Sequence, residues 1–229
     1  MIFISTTNVG LARKENQDFL GHLETNKGYL FIVCDGVGGL QNGKLASKTA
    51  VNCILKMFSR PFEDPLEHLQ QALDAAHMAV KDADPDFLGT TVVAVYIERE
   101  IIFSAWCGDS RIYHFRDHTI EWMSRDHNVL HDVLNRGEGR GDLYLNPKAI
   151  TRYLGREDNH EVDVHEFTTN PGDKILLCSD GLSNFILEPD IVGTITENDC
   201  KKAGRILEKK LLSKEMGAPD NFTWYIIEI

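Results

Sequence analysis

Short apolar runs bounded by turn residues recur along this chain, and they end in a consistent way. Phe31-Ile-Val-Cys34 runs into Asp35-Gly36, Lys174-Ile-Leu-Leu-Cys-Ser179 into Asp180-Gly181, and Ile101 to Cys107 into Gly108-Asp109, while Asp220-Asn221 opens the run Phe222 to Ile229. Runs of this kind read as buried strands. Strands are also expected over Thr90 to Ile97, Ile101 to Trp106, Arg111 to Phe115 and Thr119 to Trp122. Gaps as short as Glu98-Arg-Glu100 mark these four as hairpins of an antiparallel meander. If the Asp-terminated strands lie side by side, their carboxylates collect at one rim of a sheet.

Helical spacing alternates with these runs. Gly43 to Arg60 sets Leu45, Ala46, Ala50, Ile54 and Phe58 near one face, and Asp64 to Ala83 does the same with Leu66, Leu69, Leu73, Ala76 and Val80. Asp64-Pro65 suits an N-cap followed by a first-turn proline. A further helix is expected over Asp126 to Arg136, and another over Glu197 to Met216 with Ala203, Ile206, Leu207 and Leu211 inward. Between the latter two, Gly137 to Pro147 has three glycines, two acids and Arg140 with little periodicity, so it reads as a mobile surface loop. Strands without βαβ alternation, and helices arriving in pairs, predict packed sheets covered by helix pairs, an α+β fold.

The carboxylates change the picture from fold to chemistry. Four of them gathered within a few ångströms repel one another and cannot all stay ionised unless cations lie among them. Oxygen donors without Cys or His spacing suit hard divalent ions, Mg²⁺ or Mn²⁺. The residues therefore point to a two-metal hydrolase. The formal charge of −11 argues against nucleic acid, which needs a basic stripe. Two bound divalent ions would bring that charge only to roughly −7. No apolar stretch approaches the ~20 residues of a membrane span, and Met1 to Thr7 lacks the basic and apolar regions of a signal peptide. The five cysteines are odd in number, and Cys34, Cys107 and Cys178 lie inside apolar strands, as small buried hydrophobes in a reducing compartment do. A cytoplasmic location is expected.

Taken in order, Arg13-x-x-Asn16-Gln17-Asp18, Asp35-Gly-Val-Gly-Gly39, Gly89-Thr-Thr91, Gly108-Asp-Ser-Arg111, Ser179-Asp-Gly181 and Asp220-Asn221 resemble the metal-dependent Ser/Thr protein phosphatases of the 2C type, particularly compact bacterial members. Each motif alone is weak, and six in sequence are strong. The resemblance runs from about Arg13 to the C-terminus. It implies an αββα sandwich of two mostly antiparallel sheets flanked by helix pairs. Residues 1–229 would be one catalytic domain with a mobile flap at about 128–149. It also implies two Mn²⁺ or Mg²⁺ ions and hydrolysis of phosphoserine or phosphothreonine by a metal-activated water.

Carried over by position, Asp35 matches the carboxylate that bridges both ions, and the carbonyl of Gly36 matches a ligand of the second. Asp180 and Asp220 match further ligands of the first ion, and Asp18 the acid that completes the second ion's shell. Asp109 matches a residue linked to a third, weaker ion, and Arg13 the arginine that grips the phosphate, a role suited to its planar fork of donors. Gly38 and Gly39 would keep the entrance free of side chains, and Gln17 stands where many relatives carry glutamate. Asp126-His127 matches a common dipeptide read as structural. Arg111 is expected to pair with a carboxylate, and His127 with His131 to form a surface helix pair.

Two departures bear on mechanism. Val37 stands where several eukaryotic relatives carry a histidine suited to protonating the leaving alkoxide, and valine cannot transfer a proton. Asn184 stands where many relatives place an aspartate, which should weaken the third site rather than the pair. The expected partners are phosphorylated proteins, those of a cognate Ser/Thr kinase, met by a monomer. Two rival readings are a pseudophosphatase kept as an interaction module and a metal phosphohydrolase of small molecules. Retention of Asp18, Asp35, Asp180 and Asp220 speaks against the first. The absence of any adenine- or ribose-binding feature gives the second no support.

Overall fold

The structure is a computed structural model that describes residues 1–37, 42–83, 89–136, 146–157 and 160–229. Gly38, Gly39 and residues 137–145 of the expected flap, including Arg140, lie outside the described residues.

Two five-stranded sheets are formed, each antiparallel at every pairing. The first runs in the order β1 (Ile2–Asn8), β10 (Phe222–Glu228), β9 (Lys174–Cys178), β6 (Arg111–Arg116), β7 (Thr119–Met123). The second runs β2 (Asp18–Glu24), β3 (Tyr29–Asp35), β4 (Val92–Glu98), β5 (Ile101–Cys107), β8 (Asp163–Thr168). Helices α1 (Gly43–Phe58) and α2 (Pro65–Ala83) cover the second sheet. The one-turn α4 (Asp180–Ser183) with α5 (Glu188–Thr196) and α6 (Cys200–Leu211) covers the first. Helix α3 (Val129–Arg136) stands in the connection between β7 and β8. The α+β sandwich of two sheets between helices is the architecture the sequence predicts.

Three apolar clusters hold the layers. Between the sheets lie Phe31, Val33, Val93, Val95, Ile112, Leu177 and Tyr225. The alternate residues of the same strands, such as Leu30, Ile32, Ala94 and Leu176, face the helices. A strand buried on both faces carries no polar alternation, which is why these runs are continuously apolar. Asp64 accepts hydrogen bonds from the backbone of Leu66 and Glu67 at 2.9 and 3.0 Å and so caps α2, as its position before Pro65 predicts.

Several expectations are corrected. The four-strand meander does not stay in one sheet: β4–β5 and β6–β7 are hairpins, but the chain crosses between sheets at the Gly108–Ser110 turn. The Asp-terminated strands consequently do not share one sheet rim. Asp18 and Asp35 belong to one sheet, Asp180 and Asp220 to strand ends of the other, and all meet at one end of the sandwich. Leu45 and Ile206, expected inward, are 46% and 37% exposed. His127 precedes α3 and is buried, so it forms no surface pair with His131. Strand β8 and helices α4 and α5 are not among the elements expected from the sequence; β8, Asp-Val-His-Glu-Phe-Thr, has too few apolar residues to stand out.

Candidate active site

Each carboxylate is placed by backbone contacts that its neighbours in sequence make possible. Asp18 and Asp35 are cross-strand partners in β2 and β3. Thr90 and Thr91 hold the backbone of Asp35 from the adjacent chain: Thr90 Oγ1 and the Thr91 amide both donate to its carbonyl at 2.8 Å, and its own amide donates to Thr91 Oγ1 at 3.1 Å. That explains the Gly-Thr-Thr motif as scaffold. Gly36 packs so tightly on the backbone of Gly43 that a Cβ would come within 2.5 Å of it, and a Cβ on Gly181 would lie 1.7 Å from the Asn221 carbonyl oxygen. Only glycine permits those approaches. Asn221 in turn receives the Gln17 amide at 2.8 Å and donates to the carbonyls of Val9 and Glu15 at 2.8 and 3.0 Å. It therefore pins the loop that carries Arg13 and Asp18. Nothing in the sequence spacing separated this positioning role from the carboxylate beside it.

A small cavity of about 130 Å³ collects Arg13, Gln17, Asp35, Gly36, Val37, Asp109, Asp180 and Asp220. The carboxyl of Asp35 lies close enough to those of Asp18 and Asp180 for each to perturb the others. Asp18 is only 4% exposed; Ser179 Oγ donates to its Oδ2 at 2.8 Å, while its Oδ1 is buried without a partner. Asp109 Oδ1 is likewise buried and unpartnered. Burial pushes the Asp18 carboxyl up to about 6. Burial and then the Asp180 charge push Asp109 up to about 7. Asp35 is raised by burial and by the charges of Asp18, Asp180 and Asp109, and Asp180 by burial and the charge of Asp220. The cluster thus carries the mutual repulsion expected of crowded carboxylates without counter-charge.

The expected residues therefore converge, with two qualifications of arrangement. Arg13 does not project into empty space: its Nε and Nη2 clasp Asp220 at 2.9 and 2.8 Å in a half-exposed fork. Asp180 Oδ2 accepts from Asn184 Nδ2 at 3.0 Å. No group of three His, Cys, Asp or Glu side chains among the described residues is already arranged as an ion-holding set. The donor chemistry nevertheless fits hard divalent ions: oxygens alone, two of them buried and orphaned, in a cluster whose charge needs a cation.

Around this core, Arg111 clasps Asp126 through two 2.7 Å hydrogen bonds, the carboxylate pairing its sequence predicts. His127 accepts the Gly108 amide on Nδ1 at 3.1 Å, with Asp163 3.3 Å from Nε2, and so holds the turn that presents Asp109. The Asp-His dipeptide is structural, as expected, but buried.

A protein phosphatase 2C sequence model matches residues 12–207. The serine/threonine phosphatase stp of Listeria monocytogenes is 28% identical over 97% of this chain and 93% of its own. The Mycobacterium tuberculosis serine/threonine phosphatase PstP/Ppp superposes with a TM-score of 0.85 at 25% identity, covering 100% of this chain and 98% of that one. The catalytic domain of the serine/threonine protein phosphatase PstP, solved with two manganese ions, gives a TM-score of 0.82 at 25% identity over 99% and 97% of the two chains. A sandwich of two antiparallel sheets with its carboxylates gathered at one end, matched along nearly its whole length by these enzymes, leaves one assignment: the chain belongs to the protein phosphatase 2C family and is a serine/threonine phosphatase.

Proposed function

We propose that the chain hydrolyses phosphoserine and phosphothreonine in proteins, using two Mn²⁺ or Mg²⁺ ions held by Asp18, Asp35, Gly36, Asp180 and Asp220. The observation that carries this is the enclosed carboxylate cluster with orphaned oxygens, and the relative solved with two manganese ions supports the metal. Bound there, the ions would offset phosphoryl charge and supply a water that ionises near neutral pH. The protein's own residues do the rest. Asp35, which feels the charges of both Asp18 and Asp180, would join the two halves of the ligand set. Arg13 offers its planar fork to two phosphoryl oxygens. For that, Arg13 and Asp220 must each exchange the partner they now hold, Arg13 for phosphate and Asp220 for a cation. Val37 lines the cavity without a proton to give, so the serine alkoxide must draw its proton from elsewhere, and turnover should favour acidic leaving groups.

Asp109 would hold a third ion weakly. Asn184 brings no charge there, and its oxygen already accepts from Lys148 Nζ at 3.0 Å, so such an ion would compete with an ammonium. We read residues 1–229 as one catalytic domain, monomeric and cytoplasmic, opposing a bacterial Ser/Thr kinase. No helix among the described residues is long and apolar enough to cross a membrane. The test is hydrolysis of a phosphoserine peptide by the purified protein after chelation and with Mn²⁺ or Zn²⁺ restored, alongside calorimetric titration of each ion. Activity and binding should return with Mn²⁺ more readily than with Zn²⁺. Full turnover in excess chelator would overturn the metal assignment.

A further inference from the structure

A second cavity of about 280 Å³ adjoins the first, sharing Asp109 and Asp180 with it, and its outer wall carries Arg111, Asp126, His131, Lys148 and Asn184. Its basic side chains differ in what they have left to offer. The charge of Arg111 is already paired: two donors go to Asp126 and Nη1 goes to the Tyr113 hydroxyl at 3.1 Å. His131 Nδ1 is turned to the Asp126 carbonyl at 3.0 Å. Lys148 is exposed and donates only to the neutral oxygen of Asn184, with no ion pair among the described residues. That amide is held in one orientation. An ammonium can only donate and the Asp180 carboxylate accepts, so Asn184 turns its oxygen to Lys148 and its NH₂ to Asp180. The lysine charge is thus stationed two hydrogen bonds from the reaction centre and is not cancelled.

We propose that Lys148 is a specificity-determining residue that pairs with an acidic side chain flanking the phosphorylated residue, seated in this second cavity. The inference rests on the phosphatase reading above. Arg13 borders the first cavity and Lys148 only the second, so Lys148 addresses a neighbouring residue rather than the phosphoryl group. Adjacent Cα atoms lie only about 3.8 Å apart, so a phosphate held in the first cavity leaves a flanking residue at the adjoining one. Of the three carboxylates in the lining, Asp126 is neutralised by Arg111, while Asp109 and Asp180 face the cations proposed above, so in the metal-loaded enzyme an acid gains there through an ammonium that no carboxylate neutralises. An exposed pair of this kind is worth about a two- to fivefold preference, diminishing at high salt.

The experiment is kcat/KM on phosphoserine peptides carrying Glu or Gln at each of the two positions on either side of the phosphoserine, with Mn²⁺ present. The enzymes are wild type, Lys148→Arg, Lys148→Met and Lys148→Glu, compared at equal melting temperature. Wild type and Lys148→Arg should favour Glu at one position or more by about two- to fivefold, chiefly through KM. Lys148→Met should bring the ratio to about one and Lys148→Glu below one. A wild-type ratio of one at every position, or a Glu preference that persists in both the Met and Glu variants, would overturn the inference while leaving the phosphatase reading intact. Failure to hydrolyse any of the peptides would overturn both.

Discussion

Asp220 stands in two relationships at once. It opens a core strand and belongs to the carboxylate cluster, yet its oxygens hold Arg13 from a position 207 residues away in sequence. Replacing Asp220 or Asp35 by alanine should lower kcat by more than tenfold, over about 1.4 kcal/mol of barrier, with the melting temperature in chelator little changed. Stability is spared because a crowded acid is removed and the Arg13 fork is half-exposed, where such pairs contribute about 0.2–1 kcal/mol. Retention of a tenth or more of wild-type kcat by either variant would refute its ligand role. Arg13→Lys should raise KM for a phosphopeptide more than it lowers kcat, since lysine keeps the charge and loses the fork. Steady-state kinetics with one phosphoserine peptide decide this, and an unchanged KM with a collapsed kcat would place Arg13 at the transition state instead.

Between elements, helix α2 is tied to the segment that leads back toward the site. His77 is buried on α2, accepts the Gly155 amide on Nδ1 at 3.1 Å and stacks on His160 at 3.6 Å between ring centroids. One residue earlier, Leu154 bridges to Thr90, whose hydroxyl holds Asp35. Burial first, then the charges of His160 and Lys81, lower His77 to about 4. The unfolded chain, with an ordinary histidine near 6.5, therefore binds more protons than the native state between those values, so stability is intact above about 6.5 and is lost as pH falls toward 4. His77→Gln keeps an acceptor without a titrating ring. Its thermal denaturation curve should fall less steeply than wild type between pH 6.5 and 4, and parallel curves would remove His77 from the acid response. Across the sandwich, Gly181→Ala drives a Cβ into the Asn221 carbonyl and should cost at least the roughly 1–3 kcal/mol of ordinary overpacking, measured by urea denaturation.

For the molecule as a whole, part of the formal charge of −11 lies at the end where both sheets deliver carboxylates. Ions must displace protons from this cluster, because Asp18 sits near 6 and Asp109 near 7. Metal affinity should thus rise with pH from about 5 to 8, and binding at pH 6 should release protons. Calorimetric titration of Mn²⁺ in buffers of different ionisation enthalpy measures both. An affinity that is flat over this range would mean that the bound ion does not contact these carboxyls.

The sequence determined what is local. A run of apolar residues ending in Asp-Gly, a helix opened by Asp64-Pro65 and the spacing of Ala46, Ala50 and Ile54 each follow from periodicity or turn chemistry within a few residues. Six such signals in order were enough to mark the family, and the carboxylates with Arg13 were legible as a group. Tertiary structure decided what local pattern leaves open. Hydrophobic alternation states which face of a strand is apolar but not which strand it joins, so the crossing from β5 to β6 between sheets, and with it the meeting of Asp109 and Asp180, appears only on folding. Leu45 and Ile206 fit the helical period yet stay exposed, since periodicity does not say how far the covering layer extends. His127 becomes a buried acceptor of the Gly108 amide, with Asp163 beside its other nitrogen, and Lys148 an ammonium anchored on Asn184, through partners distant along the chain. A hydrogen bond needs its two groups within about 3 Å, and no one-dimensional spacing encodes that distance for residues joined only through the packing of two sheets.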